Sequence, residues 1–504
     1  MGLAMYFDKA ALGASQILQG YNREDFETRV MSVTIEIAFD TKAVTSPEGM
    51  ATLDLLIRLL ARFYPKLKIS PLDSASCAYA EELKQLAIRI NRFIEFSEDE
   101  SLAVIVVGKT PITKEKNCFY VGSEEWTVHF SPINTVPIGN SNNPFGAGAA
   151  ACFAVSNVFR AVFGDQLSNG HLDTDFSLSL LNFELTTSAE KIPIDGLKLS
   201  FNETFIVGVG AIGNGAVWAL SRLQKLEGSI YLVDHEKVER SNLQRYVLTT
   251  ENDEGHQKTS LYQRFTNSKV FIPYQGTWSD FLSVRQNWNL PLVALALDTS
   301  ADRIAAQASL PKQIINAWTQ PDDLGISRHN DFLKDACISC LYPAKSGGLT
   351  RAQLIAGSLG LLHRELEIRT LIHNDSSLDE SWIKTIAVAK EIDFETLKPF
   401  IGLPISQFYS KVLCGGLITT NAKNQLTETP MAFQSALAGI LLASELVLKI
   451  TGIRTSEISA LTRINLLKPI TRYMNEPLLK VTHRDCICQD DDFKKQYRAK
   501  YCSV

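Results

Sequence analysis

Long hydrophobic runs are scarce in these 504 residues: none reaches the roughly 18 to 20 residues of a membrane-spanning helix, and the longest apolar helix candidate, 436–450, carries Glu445 and Lys449. A membrane-embedded protein is therefore not expected. An excess of basic charge is also missing. The net charge of −5 and a pI near 6.0 leave no electrostatic footprint for nucleic acid or an anionic membrane surface. The first residues, MGLAMYFDKAALG, lack the basic start and apolar core of a secretory leader, and Tyr6 stands where a myristoylation signal after Gly2 wants Ser or Thr. The expected compartment is the cytoplasm. There, nine cysteines, an odd number, argue against a disulfide framework and turn attention to metal binding or thiol chemistry. No repeat of fixed period and no low-complexity tract is evident. What is present is ordinary globular composition, 45% hydrophobic and 21% charged, with length for two or three cores.

The first 195 residues read as an α/β layer without a phosphate loop. Amphipathic helices are expected around 51–63 and 80–94, followed by a buried strand in SLAVIVVGKT. That strand ends in Gly108, Lys109 and Thr110, like the tail of a P-loop, but Ala103 occupies the place of the motif's first glycine. The segment is read as a decoy. A strand pair, CFYVGSEEWTVHFS, leads to a helix rich in small residues at 143–164, best explained by close packing on a sheet.

A different pattern begins at Thr204. Phe205 to Val207 form an apolar β-rich run, Gly208, Gly210 and Gly213 follow as GxGxxG, and a helical pattern starts at once. Glycine lets the backbone approach phosphate oxygens, and the free N–H groups of the helix start then face the anion. The next apolar run ends on Asp234, where a ribose-binding carboxylate is expected. To this point an NAD-dependent oxidoreductase fits equally well. Strands and helices then alternate to about residue 341, which implies a doubly wound, mostly parallel sheet with its ligands at the carboxyl ends of the strands.

Downstream of Asp234 stand Asn242, Arg245 and Lys258, a set that hydride transfer does not require and a triphosphate does: two cations to offset phosphate charge and an amide to orient it. Asp298 follows at the end of a later strand, placed to hold Mg²⁺, with Arg303 about a helical turn beyond. GxGxxG, the strand-ending acid, VERSNLQR with Val238, Glu239, Ser241, Asn242, Leu243 and Arg245, then Lys258 and D-x(4)-R together resemble the ATP site of ubiquitin-activating enzymes and their ThiF-type relatives. Glu236 departs from the Asp common there and keeps the charge. The resemblance implies ATP-dependent adenylation of the C-terminal carboxylate of a ubiquitin-like protein ending in glycine, with an E2-like conjugating enzyme as acceptor. It implies Gly208, Gly210, Gly213, Asp234, Asn242, Arg245, Lys258 and Asp298 as the ATP and Mg²⁺ site, with Arg245 and Lys258 stabilising the departing pyrophosphate.

Cys337 and Cys340 form a CxxC after the last core strand, and Cys486 and Cys488 a CxC near the far end, together the ligand count of a closed structural Zn²⁺ site. The family often carries such a site, though from two CxxC pairs. Cys414, in SKVLCGGLITT, is the candidate for the thioester that ligating members form; it lies 74 residues past Cys340, across a helical stretch. The bland alternative is a core cysteine. The expected organisation is a degenerate, inactive adenylation-like domain at 1–195, an active Rossmann-like adenylation domain at 196–342, a helical insertion with Cys414 at 343–425, and a return to the adenylation fold with the zinc half-site at 426–504. In that return, TPMAFQSALAGILLASELVLKI reads as a helix and INLLKPITRYM as a strand. The architecture resembles activating enzymes of bacterial ubiquitin-like conjugation operons, some of which serve in antiviral defence. Adenylation of a sulfur-carrier protein without a thioester is the closest rival, a non-catalytic scaffold a more distant one, and two chains associating as a homodimer is open.

Overall fold

The computed structural model describes residues 2–502 apart from 114–116, 344–350, 375, 391, 410–428 and 483–485. Cys414 lies outside the described residues. Two compact units are present: one of residues 1–10, 17–343 and 430–504, the other of residues 11–16 and 344–429.

The larger unit holds two eight-stranded sheets. The first comprises β1 (Ile35–Phe39), β2 (Lys66–Pro71), β3 (Glu95–Phe96), β4 (Ala103–Val107), β5 (Cys118–Glu124), β6 (Thr127–Ser131), β7 (Phe176–Ser179) and β8 (Glu184–Leu185), in the order β3-β2-β1-β4-β5-β6-β7-β8. The second comprises β9 (Leu199–Val207), β10 (Leu226–Asp234), β11 (Phe271–Gln275), β12 (Leu292–Leu295), β13 (Gln313–Thr319), β14 (Leu324–His329), β15 (Leu461–Ile464) and β16 (Asn475–Glu476), in the order β11-β10-β9-β12-β13-β14-β15-β16. Counted from its own first strand, each sheet has the same order, and each is parallel through its first five strands and antiparallel through its last three. Parallel strands buried on both faces read as continuous apolar runs, as AVIVV in β4 and LVAL in β12 do. The α/β, doubly wound architecture expected from the sequence is what the chain adopts.

Five helices cover these sheets around the site: α1 (Pro47–Leu60) and α3 (Pro144–Phe163) on the first half, with α2 (Cys77–Ile90) between β2 and β3, and α4 (Ala211–Leu220) with α7 (Ala432–Thr451) on the second. Three further helices matter later: α5 (Trp278–Val284), α6 (Ser300–Ala308) and α8 (Asp491–Tyr501). Helices α4 and α7 approach so closely that a Cβ on Gly215 would lie 2.7 Å from the Ala436 carbonyl, and one on Gly439 would strike the Ile212 carbonyl. Both α3 and α7 are, by length and composition, apolar enough to cross a membrane, although no comparably long unbroken apolar run is read from the sequence. Burial of 94% of the one and 89% of the other accounts for their composition: they are core helices between sheets, where a polar face would have no solvent. A buried ion triplet closes the end of α7, Glu445 accepting from Arg328 and Arg454 at 2.6–2.8 Å.

Two sequence expectations are corrected, and one strand escapes the sequence reading. The last strand pairing is made by Leu461–Ile464, and INLLKPITRYM is mostly irregular because its Pro469 and turn residues break the ladder. The strand Leu324–His329 was not expected, since LGISRH lacks an alternating apolar pattern; burial on both sides explains why it needs none. Asp298 sits three residues beyond the end of β12, in an exposed loop. The smaller unit is helical, with Arg351–Ser358, Glu365–His373 and Glu380–Lys390 packed around Ile355, Ile368, Ile383, Ile386 and Phe408.

Candidate active site

The turn from β9 into α4 needs glycine for a physical reason. Gly208 has φ +91°, and a Cβ there would lie 2.6 Å from the Ala296 carbonyl at the end of β12. Gly213 packs its Cα against the Gly208 carbonyl, so the third glycine serves the helix–strand contact and does not line the cavity. One carboxylate organises the mouth: Asp234 accepts from the Val209 N–H at 2.7 Å and from the Glu236 N–H at 2.8 Å, tying the glycine loop to the turn after β10.

The crossover after that turn is a closed loop. Val238 N–H donates to the His256 carbonyl and Gly255 N–H to Val238, each at 2.8 Å, so the chain returns and delivers Lys258 beside the glycine loop. Lys258 is only 4% exposed; its ammonium pairs with the Glu236 carboxylate and lies 5.2 Å from the Tyr246 ring centroid. Burial on its own lowers that ammonium, but Tyr246, Asp234 and Glu236 outweigh it and hold Lys258 above the ordinary lysine range. Burial likewise raises Glu236, and the Lys258 charge more than reverses this.

A cavity of about 610 Å³ opens at the carboxyl ends of β9, β10, β11 and β12. Gly208, Gly210, Asp234, Lys258 and Asp298 all line it, which brings together five of the eight residues expected for ATP and Mg²⁺. Asn242 does not line it. Its side-chain oxygen accepts from the Glu239 N–H at 2.9 Å, reciprocated from the Asn242 N–H to the Glu239 side chain, so here it closes a turn of the crossover. Arg245 also stands off the cavity wall, within electrostatic reach of Glu236, and its Nη1 is buried without a partner. Arg303 is structural: it donates to the Leu297 and Ala317 carbonyls and to the Asn316 side chain, anchoring the loop that carries Asp298.

Several contributors escape a reading of the sequence. Asn214, fully buried in α4, donates to the Val209 and Gly210 carbonyls at 2.9 and 3.1 Å and accepts from the Leu248 N–H, joining glycine loop to crossover. A lone amide inside AIGNGAVWAL was its only signal. From the first half, Arg62 donates to the Tyr246 and Thr249 carbonyls and Arg58 to Val247 at 3.0 Å. The sequence shows no link between these segments 184 residues apart.

In the first half the corresponding position is filled. Asp40, directly after β1, accepts from the Lys109 and Thr110 N–H groups at 2.7 and 2.9 Å and from the Thr110 hydroxyl at 2.8 Å. The P-loop-like GKT therefore binds the chain's own carboxylate.

Cys337, Cys340, Cys486 and Cys488 meet as one buried group, with Sγ–Sγ separations of 3.4–3.8 Å between bonded pairs and all within 4.8 Å. Zinc–thiolate bonds of about 2.3 Å in a tetrahedron require sulfurs about 3.8 Å apart, so the four residues fit Zn²⁺. Hydrogen bonds from the Cys337 thiol and the Val481 N–H lower the Cys340 thiol, while hydrogen bonding with Cys340 raises Cys337 and burial raises Cys488, so these thiols share one proton balance. The shortened CxC spacing is no obstacle.

Comparison with known proteins adds the following. The chain is 41% identical over 508 residues to the uncharacterized protein y4jF of Sinorhizobium fredii (strain NBRC 101917 / NGR234), across 99% of this chain and 98% of that protein. Residues 186–274 match the ThiF family, and residues 38–164 match Prokaryotic E2 family C. Among solved structures, E. coli MccB with MccA-N7isoASN is similar at 16% identity and a TM-score of 0.36, and MccB with ATP at 16% and 0.35; both comparisons cover 58% of this chain and 68% of that one.

Proposed function

The chain belongs to the ThiF-type, E1-like adenylyltransferases, in one family with y4jF, and we propose that it spends ATP on the C-terminal carboxylate of a ubiquitin-like protein ending in glycine, for passage to an E2-like conjugating enzyme. The observation that carries this reading is the single cavity shared by Gly208, Gly210, Asp234, Lys258 and Asp298. In it the glycine loop receives phosphate oxygens, Asp234 the ribose hydroxyls, and Lys258 leaves Glu236 to neutralise the departing pyrophosphate. Arg245, with its unpartnered Nη1, supports the same charge from behind the wall, and Asn242 positions it through the turn it closes with Glu239. Asp298 would hold Mg²⁺, which when bound offsets phosphate charge. A carboxylate oxygen of the partner protein attacks the α-phosphorus, the bond from that phosphorus to the bridging oxygen breaks, and pyrophosphate leaves. The enzyme needs no nucleophile for this step; it supplies position and charge.

The first half, 1–195, is in this reading an inactive adenylation-like partner, supported by its repeated strand order and by Asp40 in place of a glycine loop. The match of residues 38–164 to Prokaryotic E2 family C supports a protein as acceptor. Cys414 then takes the acyl group from AMP as a thioester, in a cytoplasm that keeps thiols reduced. The test is pyrophosphate exchange with ATP and the partner protein, followed by a non-reducing gel. Exchange together with a thiol-sensitive adduct that Cys414→Ala abolishes is the expected result. Exchange with no such adduct would leave adenylation alone, as for a sulfur carrier, and absence of exchange would overturn the reading.

A further inference from the structure

One wall of the cavity is α6. Its Asp302, Ala305 and Ala306 line the space together with Ser309 at its C-cap, and Ser309 Oγ also receives the Trp278 indole N–H of α5 at 3.3 Å. The N-cap of α6, Thr299, directly follows Asp298, and its Arg303 holds the Leu297 carbonyl. Where α6 sits therefore decides where Asp298 stands. The far end of this helix is strained. Leu310, just past the cap, has φ +52°, the left-handed conformation that glycine normally supplies there and that a Cβ resists.

What holds that end is α8. The Lys500 ammonium donates to the Ser309 and Leu310 carbonyls at 2.9 and 3.0 Å, and the Tyr501 hydroxyl donates to the Leu310 carbonyl at 2.9 Å. The Tyr497 hydroxyl adds a bond to the Lys312 carbonyl at 2.9 Å. Lys500 is poorly placed for any other task. Among the described residues it pairs with no carboxylate, and burial, then the Arg285 charge, lower it to about 8. A half-buried ammonium beside a like charge persists here through its two carbonyl acceptors, and a cation at a helix C-terminus also suits the helix dipole.

Both helices are tied to the cysteine cluster. Leu310 shares one buried core with Cys337, Cys340, Cys486, Cys488 and Tyr497. Ile338, inside the CxxC turn, donates its N–H to the Gln307 side chain of α6 at 3.2 Å, whereas α8 is capped by Asp490, two residues past Cys488. So α6 hangs on one cysteine pair and α8 on the other. Zinc, when bound, fixes the two pairs to each other, and Lys500 closes the ring from α8 back to α6.

We infer that Lys500 is a positioning residue for the nucleotide cavity, carrying the hold of the cysteine cluster to the α6 wall, so that zinc on the four cysteines and ATP in the cavity each tighten the binding of the other. This rests on the adenylation reading of that cavity. Opening the ring at either point, by removing zinc or by removing the Lys500 ammonium, frees the strained end of α6 and with it the loop that carries Asp298. Linkage makes the effect reciprocal: the factor that zinc adds to ATP affinity is the factor that ATP adds to zinc affinity.

The test is equilibrium competition for zinc against a chromophoric chelator, with and without saturating magnesium ATP, on the full chain as wild type, Lys500→Met and Lys500→Arg. Calorimetric titration of ATP into the zinc-loaded proteins accompanies it. The inference expects ATP to tighten zinc in the wild type by about fivefold or more. Lys500→Met should still take up zinc, lose that tightening and bind ATP more weakly by the same factor, and Lys500→Arg should restore both. Hydrogen exchange should rise in residues 300–312 of Lys500→Met and stay unchanged in residues 103–131 of the first half. Should Lys500→Met fail to fold, Tyr501→Phe, which removes one donor to Leu310, must lower both factors. A wild-type zinc affinity indifferent to ATP, or a Lys500→Met chain that keeps the wild-type factor, would overturn the inference while leaving the adenylation site standing. A wild-type chain that binds no ATP would overturn the site reading and this inference with it.

Discussion

Lys258 and Glu236 form a pair whose two halves differ in burial, and that difference makes their substitutions distinguishable. The Lys258 side chain is 4% exposed and that of Glu236 54%. Lys258→Met removes the buried charge and leaves a carboxylate that water can reclaim, so the cost to the nucleotide-free fold is that of an exposed pair, about 0–1 kcal/mol. Glu236→Gln does the opposite: it strands an ammonium that water cannot reach. Stranding a fully buried ion costs about 3–5 kcal/mol; with the Tyr246 ring 5.2 Å away and Asp234 close by, roughly 2–3 kcal/mol is expected here. The order reverses for catalysis. Lys258→Met loses the cation facing the leaving pyrophosphate, worth about 10²–10³ in exchange rate, whereas Glu236→Gln removes the competitor for that cation and gains more thermal stabilisation from ATP than wild type. Melting temperatures with and without ATP, alongside pyrophosphate exchange, read all four effects. If Lys258→Met melted lower than Glu236→Gln without nucleotide, or kept its exchange rate, the pair would not be a placeholder for phosphate.

Two further predictions concern the frame around the site. Cys488→Ser should drop bound zinc from about one per chain to a small fraction, measured by elemental analysis, and lower the melting temperature, because the cluster joins the end of the second sheet's connections to the tail leading into α8. Burial raises the Glu445 carboxyl, but Arg328 and Arg454 reverse this and hold it at about 2 against an ordinary 4.5. A depressed folded-state value means the stabilisation is complete above about pH 4.5 and is lost as pH falls toward 2, on the order of 3 kcal/mol in all. Glu445→Gln should therefore be less stable at neutral pH and show a flatter acid limb between those values in denaturant titrations at stepped pH.

What could be read from the sequence were features whose cause is local. The glycine loop, Asp234 and the cysteine pairs each depend on a few neighbouring residues, and the structure places Gly208, Gly210, Asp234, Lys258 and Asp298 around one cavity as those motifs suggest. Features set by distant partners were not legible. Asn242 is the local exception: its chemistry fits a phosphate ligand, and the structure gives its side-chain oxygen the N–H of Glu239, three residues away. Asn214 carries no motif, since it is defined by a loop it ties. The duplication of the two sheets left no periodic repeat, because a buried parallel strand asks only for an apolar run, and IEIAF in β1 and the TFIV end of β9 meet that demand with different residues.

In the proposed reading, with the first half as an inactive partner, the same duplication gives that half a structural part to play. After β1 and β4 it has the two loops that, after β9 and β12, carry Gly208 and Asp298. In the first half Asp40 turns its carboxylate onto the N–H groups of Lys109 and Thr110, and a side chain at Gly108 would collide with that carboxylate at 2.5 Å, so the two loops are locked together without a ligand. An anion could enter only by displacing a buried carboxylate from these donors. The other contacts of this half use that locking. Arg58 and Arg62 at the end of α1 hold the carbonyls of Tyr246, Val247 and Thr249, while Asp54 one turn earlier accepts from Arg58, Trp218 and Arg222 and is kept down at about 2 chiefly by the two arginines that overcome its burial. The clamped carbonyls follow Arg245 and precede Lys258 on the same crossover, so the cations assigned to the triphosphate in the proposed reading are carried on a loop fixed at one side by the second half's Asn214 and at the other by the first half's arginines. A half that bound nucleotide itself would have to open and close its loops with each turnover, and the clamp would move with them; in the proposed reading, Asp40 across those loops removes that motion from one of the two supports of the crossover.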